Sequence, residues 1–307
     1  TIDENTRPSD IGFVLDLEAK KFTLPRSDSA TAPAESRLIA SLPKLAKFYR
    51  HYDPHGQIDL SLSISKEEGR DAPIMLDRAL IEARGADISH YKFPYRITNV
   101  RGTVEIERDG LNVIGISGDH GDGWVIANGW TGGPGGPVPA DIDIYGYNIA
   151  LDDDLCSGMG PHHRKMWDSF SPEGVTDLHV SMRRGAPVDG TPAPWSITTV
   201  ADVQSADAIF DQFPYPIYNF DGLVTIEDNE INICGIQGFG ESGEIAVNGI
   251  AETTPDGLEQ LDLSIVADDV MLDDTLFSCF EPKTRAQLKQ LHPEGTAEIE
   301  VDLSKDG

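Results

Sequence analysis

The chain has 307 residues, 39% hydrophobic and 25% charged, a balance that fits a folded chain rather than a disordered one. Its formal net charge is −28, from 52 acids against 24 bases, which disfavours nucleic acid and anionic membrane faces, since both are bound through clustered Lys and Arg. It has no run of 18 apolar residues, so this segment offers no transmembrane helix.

Residues 1–10 are polar and read as a loose entry. Phe13, Leu15, Leu17 and Ala19 then alternate with Val14, Asp16 and Glu18, which predicts a strand with one apolar face. Residues 25–34 read as a loop, and Glu35 to Tyr52 as a helix that Pro43 kinks or breaks. Pro54-His55-Gly56 starts a strand through Ile64, and residues 66–73 form a turn. The composition of 74–84 is ambiguous, but the matching segment 195–203 is rich in β-formers, so both are predicted strands. From Phe93 the chain leads into Gly102–Glu107, turns at Arg108-Asp109-Gly110, and returns through Leu111–Ser117. It turns again at Asp119–Gly123 and continues as Trp124–Gly129. Asn128-Gly129 and Asn248-Gly249 read as strand-end turns, and residues 131–139 are too rich in Gly and Pro for a strand. Ile142, Ile144 and Gly146 alternate once more.

A helical piece then interrupts the sheet. Asp152 and Asp273 stand as N-caps, and Pro161 and Pro282 open a second short helix in each copy. Leu155, Met159, Met166, Trp167 and Phe170 are expected to face the sheet, as are Leu276, Phe280, Leu288 and Leu291.

These elements recur. Phe93–Gly129 aligns with Phe213–Gly249 at a constant offset of 120 residues, without a gap, and 16 of the 37 positions are identical. Residues 141–155 match 261–276, and 13–24 is a more distant third copy of that element. A Pro-x-Gly strand occurs three times, at 54–65, 172–183 and 293–304. The chain is therefore read as the tail of a first repeat (1–69), a second repeat (70–185) and a third (186–307). Each full repeat holds about six antiparallel strands. The fold class is mainly β with α insertions, a repeat-built antiparallel meander curled into a groove, with one short helical segment per repeat.

No site motif stands out. Asp152-Asp153-Asp154 and Asp273-Asp274 fit helix starts better than a metal or a catalytic pair. The Asp119–Gly123 turn keeps only its glycines and one acid in 239–243, so a repeated cation site is not supported. His162-His163 faces Lys283-Thr284 in the other copy, which argues for surface residues. The three cysteines, Cys156, Cys234 and Cys279, form no Cys-x-x-Cys pair, so they supply no zinc site and are expected as buried free thiols. Trp124, Trp130, Trp167 and Trp195 do not repeat as a shared aromatic platform. No metal or cofactor is expected.

The stretches GTVEIERDGLNVIGISG, GLVTIEDNEINICGIQG and IAVNGIA, followed by LDLSIVADDVMLDDTL, resemble AsmA-like and TamB-like proteins of bacterial envelopes. The resemblance covers most of 70–307 and, more weakly, 13–65. It implies a long β-groove with an apolar inside, periplasmic, linked to phospholipid transport and envelope homeostasis, with the membrane anchor outside this fragment. The first expectation is thus a non-enzymatic, lipid-handling envelope segment. Its lining candidates are Val104, Ile106, Leu111, Val113, Ile142, Ile144, Val224, Ile226, Ile231, Ile233, Leu263 and Ile265. Its partners would be phospholipid acyl chains and neighbouring repeats of a longer chain. The alternatives are a structural or adhesive array whose own helices cover the apolar faces, and, third, an enzyme acting on glycans, for which no carboxylate spacing speaks.

Overall fold

The computed structural model describes residues 11–24, 49–69, 71–132, 138–189, 191–211, 213–254 and 257–305. Their strands are β1 (Phe13–Leu24), β2 (Gly56–Lys66), β3 (Ile74–His90), β4 (Phe93–Glu107), β5 (Gly110–His120), β6 (Gly123–Gly132) and β7 (Ala140–Ala150). After the helices α1 (Asp153–Gly158) and α2 (Pro161–Phe170) follow β8 (Glu173–Arg184), β9 (Trp195–Phe210), β10 (Phe213–Glu227), β11 (Glu230–Phe239), β12 (Glu244–Thr254) and β13 (Gly257–Met271). The helices α3 (Asp274–Ser278) and α4 (Pro282–Leu291) precede β14 (Thr296–Lys305). The 14 strands form an open antiparallel meander, each hydrogen-bonded to the strands before and after it in sequence. By packing, the chain divides into two compact units, residues 1–144 with 181–195, and 145–180 with 196–307.

The six strands β3–β8 correspond one for one to β9–β14, and each set carries its two short helices before the last strand. Most of the expected loop 25–34 and helix 35–52, the entry 1–10 and residues 133–137 of the Gly/Pro-rich loop lie outside the described residues. Tyr49–Tyr52 is helical.

The long strands run further than the alternation predicts. The expected strands 74–84 and 195–203 continue to His90 and Phe210. The periodicity stops being readable because a left-handed residue shifts it, Gly85 (φ 96°) in β3 and Ser205 (φ 50°) in β9. The partner strands carry bulges to match, with left-handed Asn99 (φ 52°) and Gly102 (φ 115°) in β4, and Asn219 (φ 47°) and Gly222 (φ 156°) in β10. A Cβ on Gly102 would lie 2.3 Å from the Gly115 carbonyl oxygen, so only glycine fits where the next strand crosses the bulge.

Side chains answer the bulges. A left-handed residue turns its N–H away from the ladder, and an unpaired N–H is costly. Asn128 Oδ1 accepts from Gly115 N–H and Asn248 Oδ1 from Gly235 N–H, both at 2.7 Å. The expectation of strand-end turns is therefore corrected. Both Asn-Gly pairs lie inside strands, β6 and β12, and clasp the bulge of the preceding strand. Asp207 Oδ1 likewise accepts from Asn219 N–H (2.7 Å), and Asp177 Oδ1 from Asn148 N–H (2.8 Å). Asp59 Oδ1 accepts from Lys21 N–H (2.7 Å), so the distant third copy keeps the same device.

β1 departs from the one-faced pattern. Phe13, Val14, Leu15 and Leu17 are all exposed, Val14 at 71%. Most other strands bury one side more than the other. In the first unit the charged side carries cross-strand pairs, Arg84 with Asp59 (2.8 Å), Arg78 with Glu105, Arg108 with Asp77, and Arg183 with Asp141 and Asp143 (both 2.9 Å).

Candidate functional site

The ladder register decides which apolar residues stand side by side. In an antiparallel pair, directly opposed residues share a face. In the first unit Leu62, Ala79, Ile106 and Leu111 oppose one another across β2 to β5. Beside them run Leu60, Ile81, Val104 and Val113. In the second unit Ile226, Ile231, Ala251 and Leu261 form one row across β10 to β13, and Val224, Ile233, Gly249, Leu263 and Leu303 a second across β10 to β14. Ile236, Val247, Ile265 and Val301 make a third. Ten of the twelve expected lining residues thus fall into cross-strand rows. Ile142 and Ile144 are half-buried on β7, whose intervening Asp143 is held by Arg183.

In the second unit, helices lie on these rows. Met166 and Phe170 of α2 pack with Ile231, Leu261 and Leu263. Leu276 and Phe277 of α3, with Phe280 and with Leu288 of α4, pack against the cluster of Val203, Phe220, Ile236, Val247 and Val270, which Val224, Ile233 and Ile265 border. In the first unit the cluster around Leu62, Ile64, Leu76, Val104 and Ile106 is built, among the described residues, from strand side chains alone. Leu291, expected to face the sheet, is 75% exposed, because α4 ends there and His292 turns left-handed.

The helix pair is fixed by local chemistry. Asp152 Oδ1 accepts from Leu155 N–H (3.0 Å), and Asp273 Oδ1 from Thr275 and Leu276 N–H (2.9 and 3.0 Å), so both acids are N-caps. Asp274 pairs with Lys289 (2.6 Å), which holds its carboxyl below the ordinary value. Arg285 reaches back to the carbonyls of Phe277 (3.0 Å) and Phe280 (3.2 Å), and Arg164 to those of Ser157 (2.6 Å) and Met159 (3.3 Å). These arginines occupy the same place in both copies and close the C-terminal end of each first helix.

Of the remaining polar candidates, Asp119 and His120 are tied to neighbouring strands. Asp119 Oδ2 accepts from Asn99 Nδ2 (3.1 Å), and His120 stacks on Tyr95 at 3.7 Å with its Nδ1 2.7 Å from the Arg96 carbonyl. Pro161 opens α2, so His162-His163 stands in its first turn. Among the described residues no group of three or more His, Cys, Asp or Glu is placed to hold a metal ion. Trp124, Trp130 and Trp195 are exposed and Trp167 is half-buried. Cys156 and Cys279 are buried free thiols, and burial pushes both pKa values up. Cys234 is free but exposed, because it pairs with Leu223 on the side of the sheet opposite Val224 and Ile233.

One cluster was not visible in the sequence. At the β3–β4 hairpin of the first unit, His51 lies 4.5 Å from Tyr91 and Tyr52 lies 5.1 Å from His90, ring to ring. His55 Nε2 is 3.2 Å from Asp87 Oδ2 and 3.1 Å from Arg96 Nη1. The second unit keeps the frame and not the chemistry. Phe170 stacks on Phe210 at 4.7 Å where Tyr52 meets His90, and Asp211 N–H donates to Ser169 O (2.9 Å) as Tyr91 N–H does to His51 O (2.8 Å). Comparing the two copies position by position is the signal that would have found it.

Comparison with known protein families, curated proteins and solved structures returns no match. Among the described residues no helix is long and apolar enough to cross a membrane.

Proposed function

We propose that the chain is a non-enzymatic segment of a bacterial cell-envelope protein, AsmA-like or TamB-like and periplasmic, whose apolar sheet face handles phospholipid acyl chains. The observation behind this reading is the set of cross-strand rows, above all Leu60–Ile81–Val104–Val113, which passes unbroken through four strands. At the ~4.8 Å spacing of neighbouring strands such a row spans about 14 Å, a large part of an acyl chain's length. Each methylene taken from water onto it contributes roughly 0.8 kcal/mol. In the first unit the outward acids and their Arg partners keep the other face in water.

A second reading is a self-covered structural array without a small ligand. It is favoured by α2, α3 and α4, which lie on the rows of the second unit. Lipid extraction from the purified chain followed by mass spectrometry, beside a soluble control protein, separates the two. Stoichiometric phospholipid, reduced by the half-buried change Val113→Asp, is the expected result. A lipid-free chain with a cooperative melt ends the acyl-chain reading and leaves the array.

A further inference from the structure

The sheet of the second unit has a helix-covered face and an open one. On the open side Leu223 opposes Cys234, Ile250 opposes Asn232 and Asp262, and Val266 opposes Ala246. Leu223, Ile250 and Val266 are 40%, 45% and 43% exposed, and the Cys234 thiol is exposed beside Leu223. Acids border this apolar band on both sides. Glu227, Glu230 and Glu252 oppose one another in one row, and Glu244 opposes Asp268 in another. All five are exposed. Directly opposed like charges on a sheet face repel.

No base in these strands answers the acids. Strands β9 to β13 contain no Lys, Arg or His, and none occurs anywhere between Arg184 and Lys283, where 19 acids stand. The first unit has the same strands and the opposite habit. Its outward Arg78, Arg84 and Arg108 pair with acids of neighbouring strands. Their counterparts 120 residues further on are Thr198, Gln204 and Asp228. Glu107 thus has Arg78 opposite it in the ladder, whereas Glu227 has Thr198. The exposed apolar positions are common to both units, since Ile114 and Trp130, 51% and 44% exposed, stand where Cys234 and Ile250 do. The second unit therefore has the apolar band without the internal countercharge.

We propose that the open face of β10 to β13 is a docking surface for a basic amphipathic helix of a partner protein. The helix lays its apolar stripe on Leu223, Ile250 and Val266 and reaches the acidic rows on either side with Lys or Arg. Charge complementarity selects this occupant, because the repulsion along Glu227, Glu230 and Glu252 is relieved by positive charge brought from outside the sheet. A strand cannot add here, since β10 to β13 already hydrogen-bond to one another. A second copy is disfavoured by the chain's own charge of −28. The acyl-chain reading concerns the other face of the sheet, so the two stand or fall separately.

The test uses the whole 307-residue chain and a labelled amphipathic Leu/Lys peptide of about 15 residues, long enough to hold a helix. A peptide of the same composition, scrambled to remove the stripe, is the control. Affinity is read by fluorescence anisotropy. The place of contact is read by alkylation of Cys234, since Cys156 and Cys279 are buried. Saturable binding that weakens with salt is expected, about tenfold or more weaker for the scrambled peptide, with slower alkylation of Cys234 at saturation. Ile250→Lys weakens binding about tenfold, whereas Trp130→Lys, the same change at the matching place in the first unit, leaves it unchanged. Both side chains are exposed, and the peptide comparison changes nothing in the chain, so folding does not decide the result. Absence of saturation, equal binding of the two peptides, unslowed alkylation of Cys234, or equal effects of the two variants overturns the proposal. So does self-association that shields Cys234 in sedimentation velocity and alkylation, since a second copy would then occupy the face.

Discussion

Asn128 and Asn248 show how a repeat keeps a residue for the backbone's sake. Each supplies the acceptor that the preceding strand's left-handed glycine loses when the ladder bulges. Replacing Asn248 by Ala leaves the Gly235 N–H without that partner. It is expected to destabilise the chain by about 0.5–1 kcal/mol, the lower range for a hydrogen bond, because the pair is exposed. Asn248→Asp, which keeps the acceptor oxygen, should recover most of the loss in urea titrations. An unchanged midpoint for Asn248→Ala would show that water satisfies the N–H equally well. The identity of these asparagines was plain in the alignment of the copies, and their role was not. An Asn-Gly pair is a turn signal when read locally, and only the neighbouring strand's bulge makes it a clasp.

At the scale of elements, the helix pairs follow from short-range chemistry that the sequence displays. Asp at the N-cap, proline at the first position of the second helix, and acids in the first turn all stand where local rules place them. Which helix residues reach the sheet was legible only in part, since Phe277 was not among those expected and Leu291 was. A ten-residue helix has too few turns for its apolar stripe to be fixed by period alone, and the docking angle decides the last turn. Phe277 is 6% exposed and Leu291 75%. Phe277→Ala is therefore expected to cost about 3 kcal/mol or more, and Leu291→Ala within about 0.5 kcal/mol of nothing, by chemical denaturation. Equal effects would mean that α3 and α4 do not rest on the sheet as described.

At the scale of the whole molecule, acid should act in two separate windows. Burial, His51 and Lys92 lower the pKa of His90 from its ordinary 6.5, so the folded chain prefers it neutral. Its contribution is complete above that value and is lost as pH falls through the lower folded value. The pKa of Asp59 is lowered chiefly by the Lys21 backbone N–H, that of Asp77 by Ser65 and Arg108, and that of Asp274 by Lys289, each from an ordinary value of 3.8. Their contributions are complete above 3.8 and are lost only as pH falls through their lower folded values. Melting curves in screening salt should therefore show a first loss below about pH 6.5 that His90→Phe, the residue type of Phe210, flattens, and a second in the carboxylate range that it does not. An identical profile for His90→Phe would remove His90 from the first window.

By itself the sequence determined the repeat, the antiparallel meander and the helix starts, because spacing, alternation and capping are local properties written along the chain. It also supplied ten of the residues that register aligns into rows. The tertiary structure alone decided the rest. Bulges shift each strand's phase, so the strands run past the point where alternation fails. Neighbours meet by fold rather than by order, so His51 reaches Tyr91 and His55 reaches Asp87 and Arg96 across gaps of some 30–40 residues in the chain. That Gly56 and Gly174 must be glycine, because Ala86 and Ala206 of the next strand press on them, depends on partner strands that no local pattern contains.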